Sequence, residues 1–250
     1  MTPNETPDPA ADPRSRLAFA LDYPTLDAAR RGADAVRASA GVLKVGLELF
    51  VREGPPAVRL GPALGCQVFL DLKLHDIPAT VDRAVGVAAG LGVRYLTLHA
   101  AGGPHMLEQA AKRADREGTG LVLLAVTVLT SLDAADLAAT GVDDAPSAHA
   151  LRLARLARSA GVPGLVCSSA EAALLRRELG PDAVLVTPGI RPAGSGGDDQ
   201  KRTGTPGGAI RDGSSILVVG RPIRDAADPA AAARAIVDEI AEAQREATAR

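Results

Sequence analysis

Aromatic side chains are scarce here: Phe and Tyr together make up 2% of the 250 residues, and Trp is absent. Hydrophobic residues still account for 46% of the chain, so a large core is available, built from Ala, Val, Leu and Ile. A basic surplus is also missing. The formal net charge of −2 argues against a nucleic-acid binder, which usually carries a cationic face. Cysteine is nearly absent, with only Cys66 and Cys167 present. They lie far apart in apolar runs, with neither metal-ligand spacing nor a disulfide framework. Both read as buried core thiols, which suits a reducing cytoplasm. No apolar run approaches the ~18 residues of a membrane span. The opening MTPNETPDPAADPRSR lacks the apolar centre of a signal peptide and reads as a disordered tail over residues 1–16.

What is present is a rhythm. Apolar runs at residues 17–22 (LAFALD), 42–46 (VLKVG), 68–73 (VFLDLK), 94–99 (RYLTLH), 121–128 (LVLLAVTV), 164–167 (GLVC), 183–187 (AVLVT) and 216–220 (ILVVG) read as strands. Ala-, Arg- and Leu-rich stretches of helical period lie between most of them, at 26–39, 77–89, 106–116, 148–159, 171–179 and 230–246. Gly41, Gly90, Gly118, Gly161 and Gly180 punctuate helix ends. Strand–helix repetition with short turns implies a parallel sheet with right-handed crossovers. Eight such units in one chain of this length predict a closed (β/α)8 TIM barrel as a single domain over residues 17–250. The competing arrangement is an open doubly wound sheet.

Strand side chains alternate between faces. Leu17, Phe19 and Leu21 share one face of the first strand, and Ala18, Ala20 and Asp22 share the other. In the third, Leu70, Leu72 and Leu74 oppose Phe69, Asp71 and Lys73; in the fourth, Leu96 and Leu98 oppose Thr97 and His99. The bulky face would pack on outer helices. The other points into the barrel and ends in polar groups at the strand C-termini, where barrel enzymes keep their chemistry.

The densest chemistry is FLDLKLHDIPAT, residues 69–80. Asp71 and Lys73 lie two apart and can touch, Asp76 falls just past the strand, and Pro78 opens a helix. Lys44 and Asp22 reach the same mouth from neighbouring strands, so three carboxylates, Asp22, Asp71 and Asp76, and two ammoniums, Lys44 and Lys73, would converge in one site. Burying one charge is costly, but alternating signs offset much of that cost and favour the ammonium form of Lys73. Such an ammonium can donate a proton and stabilise negative charge on a substrate carbon. Taken alone, Asp71 and Lys73 also read as a structural ion pair.

A second cluster follows the seventh and eighth strands: TPGIRP at 187–192 and VVGRPI at 218–223. Loops there commonly hold phosphate in barrels. Gly189 and Gly220 let backbone N–H groups approach an anion, and Arg191 and Arg221 supply charge. The alternative is two glycine turns with solvated arginines. Between these loops, the Gly-rich residues 193–208 (AGSGGDDQKRTGTPGG) are long for a connection. They suggest a lid carrying Gln200, Lys201 and Arg202 inward, or a plain surface loop. Thr130 and Ser131 would either hydrogen-bond a polar ring or cap the helix beginning near Asp133. His99 would form site wall, and His75 would support its loop.

Together these segments resemble the orotidine 5′-phosphate decarboxylase family, in family order from Leu17 to Pro229. The carriers are LAFALD, LKVGLELF, FLDLKLHDIPATV, LTLHAAGG, AVTVLTS, VTPGIRP, DQKR and VVGRPI. DLKLHDIP is highly specific, whereas the phosphate loops are shared with other phosphate-binding barrels. The resemblance implies a ribulose-phosphate-binding type of barrel. It further implies cofactor- and metal-free decarboxylation of orotidine 5′-monophosphate to UMP, the last step of de novo pyrimidine synthesis, in the cytoplasm. Lys44, Asp71, Lys73 and Asp76 would form the charged network, with Lys73 protonating C6 of the pyrimidine. Asp22 would hold the ribose, and Thr130 or Ser131 the pyrimidine. Arg191, Gly220 and Arg221 would hold the phosphate, and Gln200 would bridge phosphate and base. Ile77, Thr80 and Pro188 would add substrate contacts. Asp76 would serve the neighbouring subunit's site, making a homodimer the active unit. One departure is GGDDQ, where the family usually carries a single Asp before the Gln. A sister sugar-phosphate decarboxylase or aldolase, usually Mg²⁺-dependent, and a non-catalytic nucleotide binder are the rival readings.

Overall fold

The computed structural model describes residues 12–192 and 204–248. Along the chain run β1 (Leu17–Ala20), α1 (Leu26–Val36), β2 (Val42–Gly46), α2 (Leu47–Glu53), α3 (Pro55–Val58), α4 (Leu60–Ala63), β3 (Gln67–Leu74) and α5 (Pro78–Gly90). Then come β4 (Tyr95–His99), α6 (Pro104–Glu117), β5 (Val122–Val126), α7 (Ala134–Ala139), α8 (Pro146–Ser159), β6 (Gly164–Val166) and α9 (Ser169–Leu179). The last elements are β7 (Val184–Thr187), α10 (Pro206–Arg211), β8 (Ile216–Val219), α11 (Arg221–Arg224) and α12 (Pro229–Thr248). The strands close into a barrel in sequence order, β8 pairing back onto β1. Every pairing is parallel. An open sheet is thereby excluded.

Alternation along the strands divides the core in two. Leu17, Phe19, Leu21, Leu70, Leu96 and Leu98 belong to the layer between strands and helices. Ala18, Ala20, Val42, Phe69, Tyr95, Leu124, Val186, Ile216 and Val218 fill the barrel itself. Two of the rare aromatics sit there edge to face, Phe69 and Tyr95, with ring centroids 6.2 Å apart. That stacking, a preferred aromatic geometry, plugs the barrel below its C-terminal mouth.

Helix ends follow local chemistry. Thr25 accepts from the Ala28 N–H at the start of α1. At α9 the buried Glu171 carboxylate accepts from the Ser168 N–H at 2.9 Å. Gly118 closes α6 with φ 64° and Gly180 closes α9 with φ 80°, left-handed turns that a Cβ disfavours.

Two expectations are corrected. Pro13–Arg16 form a 3-10 helix capped by Asp12, because the Asp12 carboxylate accepts from the Arg14 N–H. Part of residues 1–16 is therefore structured, while residues 1–11 lie outside the described part. The interval 193–208 is not a connection throughout. Gly204 bridges Ile190, and Thr205 caps α10 by accepting from the Gly208 N–H.

Candidate active site

Four charged side chains from three adjacent strand ends meet at the C-terminal mouth. Asp22 follows β1, Lys44 lies in the middle of the short β2, and Asp71 and Lys73 project from β3. The register sets them side by side: Ala20 pairs with Lys44, and Gly46 with Asp71. Lys44 Nζ lies 3.3 Å from Asp22 Oδ1 and 3.6 Å from Asp71 Oδ2. Lys73 Nζ donates to both Asp71 oxygens at 2.9 Å. The signs alternate along the row Asp22–Lys44–Asp71–Lys73, so each inner charge has an opposite neighbour. That arrangement makes partial burial tolerable. Burial acts to raise the Asp71 pKa, but Lys44, Lys73 and the hydrogen bonds from Lys73 and Thr97 outweigh it and hold the carboxyl below its ordinary 3.8. Asp71 is thus a fixed carboxylate at neutral pH.

β3 is irregular where it carries this chemistry. Leu70 pairs with Leu96 and Leu74 with Leu98, leaving Asp71, Leu72 and Lys73 opposite Thr97 alone. This is a bulge, a device that re-aims side chains beside active sites. Lys73 has φ 51° and is the single non-glycine residue with positive φ among those described.

The row lines a cavity of about 250 Å³. Thr130, Pro188, Arg191, Gly220 and Arg221 line it too. Gly189, another wall residue, has φ 75°, a conformation that lets backbone approach a ligand without Cβ strain. Charged lining residues number two carboxylates, Asp22 and Asp71, against four cations, Lys44, Lys73, Arg191 and Arg221. The cavity therefore favours an anionic ligand carrying more than one negative charge. Among the described residues, no group of three or more His, Cys, Asp or Glu side chains could hold a metal ion.

The other expected site residues lie elsewhere. Asp76 is exposed and accepts from the Ile77 N–H at 2.6 Å. It stands outside this chain's cavity, as do Ile77, which is 66% exposed, and Thr80. Of Thr130 and Ser131, only Thr130 lines the cavity. Neither caps α7, because the Asp133 carboxylate accepts from the Ala135 and Asp136 N–H groups instead. His99 is not part of the cavity wall either; its ring lies 5.3 Å from that of His75, tilted by 38°. Burial, with His75 and Lys73 nearby, lowers the His99 pKa against the opposing pull of Asp71. Gln200, Lys201 and Arg202 lie outside the described residues. At the near edge of that interval, Arg191 N–H donates to the Gly204 carbonyl at 2.9 Å.

Two site features escape sequence reasoning. Cys167 is buried as expected, yet it also lines the cavity, because β6 is short and ends at Val166. Thr97 is fully buried and touches both Asp71 and Lys73. Alternation places Thr97 on the inward face, but only the bulge brings its hydroxyl into the charged row.

Comparison with known proteins agrees with this geometry. The family model described as orotidine 5′-phosphate decarboxylase / HUMPS family matches residues 15–236. A relative from Anaeromyxobacter sp. (strain K), named orotidine 5′-phosphate decarboxylase, is 56% identical over 224 residues, covering 90% of this chain and 97% of its own. One of the same name from Chromohalobacter salexigens is 51% identical over 226 residues, covering 90% and 96%. The crystal structure of orotidine 5′-phosphate decarboxylase from Lactobacillus acidophilus superposes with TM-score 0.77 at 35% identity, covering 90% of this chain and 98% of that one. With its barrel, its row of charges and these matches over nearly the whole length, the chain belongs to the orotidine 5′-phosphate decarboxylase / HUMPS family.

Proposed function

We infer that the chain decarboxylates orotidine 5′-monophosphate to UMP and CO₂, the closing step of de novo pyrimidine synthesis. One observation carries the reading: an alternating Asp22–Lys44–Asp71–Lys73 row at one wall of a cavity whose other charges are Arg191 and Arg221. The substrate bears a phosphate and a carboxylate, and the cationic surplus suits both.

The phosphate lies between Arg191, Arg221 and the backbone at Gly220, with Pro188 packing beside it. Asp22 holds the ribose and Thr130 contacts the pyrimidine; Gln200, proposed to bridge phosphate and base, lies outside the described residues. As the C6 carboxylate leaves as CO₂, an electron pair remains on C6. The Lys73 ammonium stabilises that pair and then transfers a proton to it, giving UMP. Asp71, ionised and close to Lys73, keeps the amine aimed. Binding energy from the remote phosphate helps order this arrangement. The active unit is a homodimer in which Asp76, Ile77 and Thr80 of one subunit face the other's cavity. The exposure of Asp76 and Ile77 in the single chain supports this, with Thr80 half-buried one helical turn on. Buried thiols at Cys66 and Cys167 suit a cytoplasmic site of action, and no described helix is long and apolar enough to cross a membrane.

The test is decay of the orotate chromophore when purified protein meets the nucleotide in the presence of EDTA. Rapid decay is expected, with at least a ~10³-fold loss of kcat for Lys73→Ala, the scale on which catalytic groups act. Full turnover by Lys73→Ala would remove Lys73 as proton donor. Activity abolished by EDTA would point to a metal-dependent sister reaction.

A further inference from the structure

We propose that Thr97 is a positioning residue whose single hydroxyl locks the catalytic lysine and its aspartate into one geometry. The inference rests on the decarboxylase reading above and concerns the same site.

Thr97 lies in the middle of β4, entirely buried. Its hydroxyl accepts from the Lys73 backbone N–H at 2.8 Å and donates to Asp71 Oδ1 at 2.9 Å. A hydroxyl has one proton to give and lone pairs to receive, so both bonds coexist. The bulge explains why they are needed. Between the Leu70–Leu96 and Leu74–Leu98 pairings, the Lys73 N–H loses its ladder acceptor. An orphaned backbone donor in a partly buried position is costly. The Thr97 side chain takes the place of the missing carbonyl.

The consequence is mechanical. Lys73 holds a left-handed backbone, φ 51°, which non-glycine residues seldom adopt unless neighbours enforce it. The hydroxyl fixes that conformation at the N–H. Through its proton it also fixes the carboxylate that receives Nζ. One oxygen atom therefore sets both ends of the lysine, main chain and ammonium.

Two pairs of variants test this. Thr97→Val keeps volume and β-branching but removes the hydroxyl; Thr97→Ser keeps the hydroxyl. Thr97→Ala compared with Thr97→Ser repeats the contrast if valine fails to fold. Losing hydrogen bonds that orient a charged pair should lower kcat by about ten- to a hundredfold in Val and Ala. KM should change by less than about threefold, because neither phosphate nor ribose is touched. Ser should stay within about threefold of the parent. The acid limb of the kcat profile should move to higher pH in Val and Ala, since Asp71 loses a donor that favours its carboxylate. Amide exchange at Lys73 should be slow in the parent and Ser and fast in Val and Ala. Unchanged kcat in the variants without the hydroxyl overturns the proposal. So do equal losses in Ser and Val, and a Lys73 amide that stays protected. If the unaltered protein decarboxylates nothing, the functional reading fails instead, and the amide exchange still judges the Thr97 link.

Discussion

At the scale of single residues, the site depends on what is small as much as on what is charged. Gly46 ends β2 with φ −90° and ψ −180°, extended backbone open to any residue. A Cβ there would come within 3.1 Å of Lys44 Nζ and 3.4 Å of Asp22 Oδ1. Gly46→Ala should therefore leave stability unchanged or slightly raised, through lower unfolded-state entropy. It should cut kcat/KM about three- to tenfold by nudging the ammonium. Parallel melting and turnover assays check this, and a melting loss with intact turnover would contradict it. Asp71 supplies a pH signature. Its folded pKa lies below the ordinary 3.8, so as pH falls below that value the unfolded chain binds the proton more readily. The stability from its ionisation is present above 3.8 and fades as pH drops through the folded value. The stability difference between the parent and Asp71→Asn should accordingly narrow below about pH 4 in denaturant titrations. A gap that stays constant from about pH 6 to 3 would show that the charge contributes nothing differential.

At the scale of elements, periodicity explains which parts were legible. Every strand is visible as an apolar run, because parallel strands buried on both faces carry little else. The six longer helices are visible through their helical period. Residues 47–63 are not, although they form α2, α3 and α4. LELFVREGPPAVRLGPA is broken by Gly54 and Pro55, and each piece is too short to display a period. The bulge is equally hidden, since FLDLKL alternates without a break while its pairing with β4 slips. Register is a property of two strands, and one strand's pattern cannot record it. Start signals can also mislead. Thr130 and Ser131 are acceptable caps by type, but Asp133 stands nearer α7 and takes the role. The junction of β6 and α9 relies on the buried Glu171 receiving the Ser168 N–H. Glu171→Ala should cost about 1–2 kcal/mol in a urea titration. Activity per folded molecule should persist, because Glu171 lies outside the cavity lining.

At the scale of the whole molecule, closing the barrel separates stability from chemistry. Apolar side chains fill the interior as far as the Phe69–Tyr95 pair, and the charged row begins above it. Composition and strand count were enough to expect that closure. Strand-end charges were enough to expect Asp22, Lys44, Asp71 and Lys73 at one mouth. The same route put Asp76 with them, but it lies after β3, exposed and outside its own cavity, because the chain turns outward once the strand has ended. Its proposed work is in a partner's cavity, and mixing two inactive proteins decides whether it does that work. In a Lys73→Ala / Asp76→Ala hybrid with shared sites, one site combines both lesions and the other carries neither. Random exchange at equal concentrations makes about half the dimers hybrid, so activity should recover to about a quarter of the parent value. If each chain supplies its own Asp76, every site in the mixture keeps one lesion and nothing recovers. Mass spectrometry of the intact dimers establishes that exchange has occurred, so silence after exchange assigns Asp76 to its own subunit.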